Sequence, residues 1–500
     1  MLKRLMSDTV LYGMSTVLAR LINYTLVRIH TGVAAPDGYG IISIFYAYMI
    51  LFNALYTYGM ETSFFRFATK ASKEEQERVF NNIMTSLMLT SVFFSSLLYF
   101  NAEAIGLWMG YDNSALYVQW FAMLLTVDTL LVLPFAKLRI EQKALRFATL
   151  KVTEVIITVG LNIFFLILCR DIHEGKYLQE WKSVVDLIYD PSLGIGYAFL
   201  ANLLAKVLIF ITFFKQFITW RPQLDWKRLQ QYYRYGFPLI LIGVAFFVNE
   251  ASDKILLEKW LPEGFYEQGD STYAMGVYAA CYKLSIFITL GVTAYKYAAE
   301  PFFYAQAGQK DSPRLFARVM KYFVIFLMMM VVGVVANLDW LAGLLIGKEE
   351  YLVGLSVVPI LLMANVFLGV YYNLSVWFKV TDRTKFGAFL SLGGAMITVL
   401  GNYFLIPILG YHGSAIATLA CYGSMMIASY WFGQKYYPVP YQVGNALLYV
   451  FSGVLVAYVV FNLEIMHFWT SFFVKNSILM AFVLLILFLE RQELRKVVNK

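Results

Sequence analysis

Arg20 and Arg28 stand inside Asp8–Thr31, an apolar run long enough to cross a bilayer. A guanidinium at the centre of a membrane helix costs about 2.5 to 3.5 kcal/mol, so it faces a wet cavity or a partner. At about 1.5 Å of rise per residue Arg20 lies roughly 18 Å along such a helix, near the bilayer midplane. Tyr24 and Thr31 share its stripe at about 100° per residue, and Arg28 is turned by about 80°. The pattern suits a hydrated, cation-lined interior that accepts an anionic ligand. Neutralisation by an acidic neighbour for packing alone is the simpler reading, and the sequence leaves both open.

A second group of polar residues falls in later apolar runs. Asn249, Glu250, Asp253 and Lys254 occur toward the outer end of a segment spanning 235–260, with Glu250 and Lys254 at i, i+4. Lys283 lies roughly 13 Å below the outer end of the next segment, in the same layer. Asp128 and Lys206 sit at similar depths in the fourth and sixth segments, so a buried Lys206–Asp128 pair is expected, as structural glue more than as a ligand site. Glu154 is read as a first-turn acid that favours the helix dipole.

These residues need membrane helices to position them. Of 500 residues 60% are hydrophobic and only 14% charged, against about 25% charged in soluble domains, and mean hydropathy is +0.63. Fourteen apolar segments follow, from 8–31 to 473–490, and no stretch between them is long enough for a soluble domain. The fold class expected is an all-α polytopic membrane protein of about 14 transmembrane helices. The opening run is too long for a cleavable signal peptide, contains two Arg and lacks a small-residue cleavage site.

The net charge of +8 does not point to nucleic acid, because the basic residues gather in alternate loops. The loops on the N-terminal side carry most of them, while the opposite loops hold only Arg170, Lys176, Lys182, Lys259, Lys348 and Lys475. Positive loops face the cytoplasm, so both termini should be cytoplasmic. The external segment Arg170–Pro191, with Tyr177, Trp181 and Tyr189, reads as an interfacial aromatic anchor. Cys169, Cys281 and Cys421 are far apart and suggest neither a disulfide framework nor a metal site.

The chain also repeats itself. Ile157-Thr-Val-Gly-Leu-Asn162 matches Ile397-Thr-Val-Leu-Gly-Asn402 at an offset of 240 residues, with a Gly/Ala-rich entry into the following segment in both copies. An even number of helices separates the copies, so the two halves have the same orientation. The organisation expected is an N-terminal six-helix bundle (1–217), a cytoplasmic linker (218–234), a second parallel bundle (235–434) facing the first across a central cavity, and helices 13 and 14 with a basic tail (435–500). Repeats of this kind are a transporter plan with substrate bound between them.

The sequence resembles the polysaccharide flippases of the multidrug/oligosaccharidyl-lipid/polysaccharide exporter superfamily. The residues that carry the likeness are Thr31–Gly40 with Tyr58-Gly-Met-Glu-Thr-Ser-Phe-Phe-Arg-Phe67, Asp253-Lys-Ile-Leu-Leu257, Ala299-Glu-Pro-Phe-Phe303, Trp377–Lys385 and Asn402–Thr418. The resemblance implies translocation of an undecaprenyl-diphosphate-linked oligosaccharide across the bacterial inner membrane by alternating access, for surface polysaccharide biosynthesis such as lipopolysaccharide. In that setting Arg20, Arg28, Lys254 and Lys283 would attract the diphosphate, and Tyr24 and Asn249 would meet the sugar. Glu250 and Asp253 would hold the cations of the empty cavity or bind a coupling proton or Na+, and Asp128 and Lys206 are assigned to charge pairing or coupling. Partners implied are the lipid-linked oligosaccharide, membrane lipid and polysaccharide-assembly enzymes, with no cofactor and no nucleic acid.

Two transport alternatives share the plan: a lipid II flippase, and a drug/cation antiporter that would favour an acidic cavity. A membrane-embedded glycan polymerase, ligase or acyltransferase would need a larger external loop or a His or carboxylate constellation at the interface. His30, His173, His412 and His467 are scattered at segment ends without a spaced acidic partner, so the expected class is a transporter and not an enzyme.

Overall fold

A computed structural model of the chain describes residues 17–69, 71–109, 115–306, 311–381 and 383–498; within its helices the side chains of 297, 298, 300–302, 304, 305 and 492–498 lie outside the description. It is all-helical: among the described residues only one isolated β-bridge, Tyr266 with Gly269, interrupts the helices and turns. Two compact units divide the chain at Ala279 and Ala280.

The first unit contains α1 (Thr25–Val33), α2 (Pro36–Thr57), α3 (Met60–Ala68), α4 (Lys73–Phe100), α5 (Ala102–Met109), α6 (Ala115–Ile140), α7 (Ala144–Ile163), α8 (Tyr197–Thr212), α9 (Trp226–Glu250), α10 (Ser252–Trp260) and most of α11 (Ser271–Lys283). Local sequence marks the helix starts. Pro36 opens α2 with no backbone N–H left unpaired. Ser72 and Asp225 cap α4 and α9 by accepting the N–H of Glu75 and Arg228, at 3.3 Å each. Between α2 and α3 the chain turns through Tyr58 (φ 32°) and Gly59 (φ 75°). A Cβ on Gly59 would lie 2.4 Å from the Gly236 carbonyl oxygen, so glycine is needed there both for the left-handed turn and for the crossing of α9. Phe64, Ile83, Leu87, Leu133 and Leu229 form a core that joins α3, α4, α6 and α9.

The second unit contains α12 (Ile286–Gln306), α13 (Ser312–Ala336), α14 (Val358–Leu374), α15 (Lys385–Leu409), α16 (Tyr411–Tyr436), α17 (Val443–Phe461) and α18 (Phe468–Val498). Gly410 (φ 58°) makes the turn between α15 and α16, and a Cβ on Gly413 would meet the Leu405 carbonyl oxygen at 2.4 Å. These two helices therefore pack with their backbones nearly touching. Helix α13 packs against α12, α14, α17 and α18.

Among the described residues eleven helices are long and apolar enough to cross a membrane, twelve when α11 and α12, bent by 46°, are taken as one span. The two other expected spans carry the charge. Of 8–31, the residues before 17 lie outside the described residues, and 235–260 is broken at Ala251 (φ −138°, ψ −17°) into α9 and α10. Many large apolar side chains face outward, among them Phe100, Ile408, Trp431, Phe451 and Tyr458. Such a surface requires an apolar solvent, and the protein is a multi-pass membrane protein.

Candidate substrate and charge-pairing site

Arg20 lies in the helical stretch 17–23, and Arg28 in α1. Between them Tyr24 makes a tighter turn: its N–H reaches the carbonyls of Arg20 and Leu21, and its own carbonyl accepts Val27 N–H at 3.0 Å. Both arginines are exposed, whereas Leu26, Val27, Ile29, His30 and Thr31 are buried. The arginines thus leave the packed face and keep their head groups accessible. The half-buried Tyr24 phenol lies in the field of both the Arg20 and the Glu250 charge, which brings the first span to the end of α9.

The packed face of α1 holds a residue that sequence reasoning set aside. His30 is buried, with Nε2 2.8 Å from Asn162 Oδ1. The Asn162 Nδ2 group donates to Thr158 O, so its Oδ1 is the acceptor and His30 donates through Nε2, a tautomer assigned from the network. The two sequence segments that match at an offset of 240 residues share the same local bond. Asn402 Nδ2 donates to Thr398 O at 2.8 Å, as Asn162 does to Thr158, and both asparagines are fully buried. Only the Oδ1 partner differs: His30 in one copy and Ser414 in the other.

At the α9–α10 break, Asn249 is buried and Glu250 half-buried. Asp253 follows in the first turn of α10, where a carboxylate is favoured by the exposed N–H groups. Its Oδ1 accepts the backbone N–H of Lys254 at 2.9 Å and Lys254 Nζ at 3.0 Å, and Oδ2 accepts Tyr278 OH at 2.7 Å. Neighbours in a helix do not normally face each other; the break allows Lys254 to fold back onto the preceding residue. Tyr278 was not singled out by its sequence, since nothing distinguishes it among 36 tyrosines. Lys283 ends α11 and belongs to the second unit.

Asp128 and Lys206 lie in a larger cluster. Lys206 Nζ bonds Asp128 Oδ1 and stands 2.7 Å from Glu154 Oε1, while Lys151 Nζ is 3.1 Å from Glu154 Oε2. The cluster ties α6, α7 and α8. Two lysines and two carboxylates balance, which is what makes such charges tolerable away from water. Helix α7 begins at Ala144, so Glu154 is deep inside it and not in its first turn. The Lys151–Glu154 spacing of i, i+3 was the signal for this cluster.

The second unit hides further pairs where the charge pattern suggested loops. Lys321 Nζ is 2.7 Å from Glu490 Oε2, both buried, and Tyr449 OH donates to Glu490 Oε1. At the other end of α13, Asn337 and Asn476 exchange amide bonds of 3.1 and 3.0 Å, and Lys475 pairs with Asp339 at 3.0 Å. These bonds fasten α17 and α18 to α13. Lys296 Nζ lies 4.9 Å from the ring centre of Tyr372, a cation–π distance.

The sequence matches no family model and no curated protein. Among solved structures, one described as the lipid II flippase MurJ in an inward closed conformation aligns over 97% of this chain and 100% of its own, with a TM-score of 0.74 at 14% identity. The fold is that of a polytopic membrane transporter. An inward-facing multidrug resistance MATE family transporter of the MOP superfamily aligns over 84% of this chain and 93% of its own, with a TM-score of 0.60 at 13% identity. The MATE multidrug transporter DinF-BH gives 87%, 96%, 0.58 and 15% for the same measures. At these identities the likeness is one of fold.

Proposed function

We propose that this protein is a flippase of the multidrug/oligosaccharidyl-lipid/polysaccharide exporter superfamily that moves an undecaprenyl-diphosphate-linked oligosaccharide across the bacterial inner membrane by alternating access. The observation that carries the reading is the pair of exposed arginines on the first span, with Tyr24 in the field of both Arg20 and Glu250. Arg20 and Arg28 offer paired bonds to phosphate oxygens, whereas Lys254 and Lys283 act as point charges. Tyr24 and Asn249 meet the sugar. Asp253 holds Lys254 in the empty state, and Glu250 acts beside Tyr24. An arriving diphosphate competes with these carboxylates for the cations and so favours one facing state. A coupling proton or Na+ at Glu250 or Asp253 is part of the same proposal, as are cytoplasmic termini, assembly-enzyme partners on the basic face, and the division into repeats 1–217 and 235–434.

A lipid II flippase is the second reading, favoured by the alignment of MurJ over nearly the whole chain, where the drug transporters align over 84% and 87%. Both readings require a diphosphate-linked lipid. The deciding experiment is a deletion strain complemented by wild type or by Arg20→Ala. Lipid-linked oligosaccharide should accumulate on the cytoplasmic side and be cleared by wild type but not by the mutant. Rescue of a strain depleted of its lipid II flippase would select the second reading, and normal export in the deletion strain, with no redundant exporter present, would overturn the first.

A further inference from the structure

Between the membrane helices Ala144–His173 and Pro191–Thr212 the chain does not simply loop through water. It folds back. The Tyr189 ring stacks on Tyr197 (5.1 Å, 13°), and Tyr197 stacks on Phe165 (4.9 Å, 12°). Phe165 lies eight residues before His173, in the π-helical stretch Phe164–Cys169 of the first of these spans. The segment is therefore held against the adjoining ends of its two flanking spans. His173 and Asp186 (2.6 Å) and the bond from Asp190 N–H to the Tyr197 hydroxyl (2.6 Å) fix it there.

Backbone bonds from Trp181 N–H to Leu178 O through Tyr189 N–H to Val185 O coil residues 179–188 as a 3-10 turn (Gln179–Trp181), one α turn (Lys182–Val185) and further turns. At about 100° per residue the coil has three sides, and the exposed Glu180 falls within the apolar one, between Leu187 and Val184. Val185 and Tyr189 are buried against the protein. Gln179, Lys182, Ser183 and Asp186 make a polar side. Next to the buried side lie Trp181, Val184, Leu187 and Ile188, exposed by 58%, 50%, 84% and 54%. An apolar arc half covered by the protein and half open, placed at the ends of two spans, continues the lipid-facing surface of those spans.

We propose that residues 179–188 form a short interfacial coil that lays Trp181, Val184, Leu187 and Ile188 into the headgroup–acyl boundary of the bilayer, with the Glu180 carboxylate reaching to the headgroups, on the side away from the basic loops. Trp at this depth keeps an apolar body in the acyl region and its N–H toward the headgroups. Three bases against five acids between Arg170 and Asp190 make apolar burial, and not attraction to anionic lipid, the source of binding. The inference rests on the membrane spans alone, so its failure would leave the proposed cargo untouched.

The three native cysteines are buried, so spin labels can be directed to Val184→Cys, Leu187→Cys and, on the polar side, Gln179→Cys in the full-length protein. The proteins are reconstituted in phosphatidylethanolamine vesicles with low or high phosphatidylglycerol, and label relaxation by oxygen and by a water-soluble nickel chelate is compared. Labels at 184 and 187 should respond several-fold more to oxygen than to nickel, and the label at 179 the reverse, with no dependence on the phosphatidylglycerol fraction. A nickel-dominated response at 184 and 187 would place this face in water and overturn the proposal. Insensitivity to both reagents there would mean that protein covers it, with the same consequence.

Discussion

Lys206 shows how a residue in a membrane interior is kept charged. Its ammonium is shared between Asp128 and Glu154, and Lys151 balances the second carboxylate. Removing one partner of a buried pair costs about 3 to 5 kcal/mol, because the remaining charge is left uncompensated. Lys206→Met should therefore lower the melting midpoint in detergent sharply, while Lys206→Met combined with Asp128→Asn recovers much of the loss. The arginines should behave differently. Arg20→Lys keeps the charge but not the paired bonds to phosphate, so it should retain only part of wild-type export, measured as clearance of lipid-linked oligosaccharide. Its melting midpoint should not move, since Arg20 is exposed.

Helix α9 depends on close approach to its neighbours. Gly59 and Gly236 bring the α2–α3 turn against it with backbone atoms in contact, and Ala251 ends it where Asp253 and Lys254 begin α10. Gly59→Ala adds a methyl group against a carbonyl at a positive φ, and should reduce folded yield and thermal stability. Gly160 is a useful control, since a Cβ there meets nothing within 4 Å. Gly160→Ala should be neutral or raise stability by up to about 1 kcal/mol, the helix propensity difference. The cluster of polar residues near 250 was legible, but neither the break at Ala251 nor the Tyr278 bond that satisfies Asp253 was. That partner comes from a helix whose own pattern carries no mark of the contact.

Across the molecule, the same device fastens separate helices. The Lys321–Glu490–Tyr449 group and the Asn337–Asn476 pair hold α18 along α13. Lys321→Ala should destabilise by about 3 to 5 kcal/mol, whereas Lys321→Met with Glu490→Leu and Tyr449→Phe should be nearly neutral, because replacing the whole group by apolar side chains removes the desolvation cost and leaves no hydroxyl without its acceptor. The two matching segments make a further prediction. Asn162→Ala and Asn402→Ala should each cost about 1 to 3 kcal/mol, since each leaves a buried polar partner unsatisfied, and thermal unfolding of the two variants should show similar losses.

Hydropathy and periodicity determined by themselves that this is an all-helical, multi-pass membrane protein, because a backbone in lipid must satisfy its own hydrogen bonds. An internal match at 240 residues is the basis of the proposed repeat, and two arginines in the first apolar run are the basis of the proposed site. The tertiary structure alone decided the partners. Glu154 looked like a first-turn acid and Lys321 and Lys475 like loop cations, yet each side chain is buried and paired with a residue from another helix, Lys475 with the exposed Asp339. A charge in a sequence carries no label for its neutraliser. Helix packing brings the two together from tens to hundreds of residues away, and the low dielectric of the interior then makes the pairing obligatory.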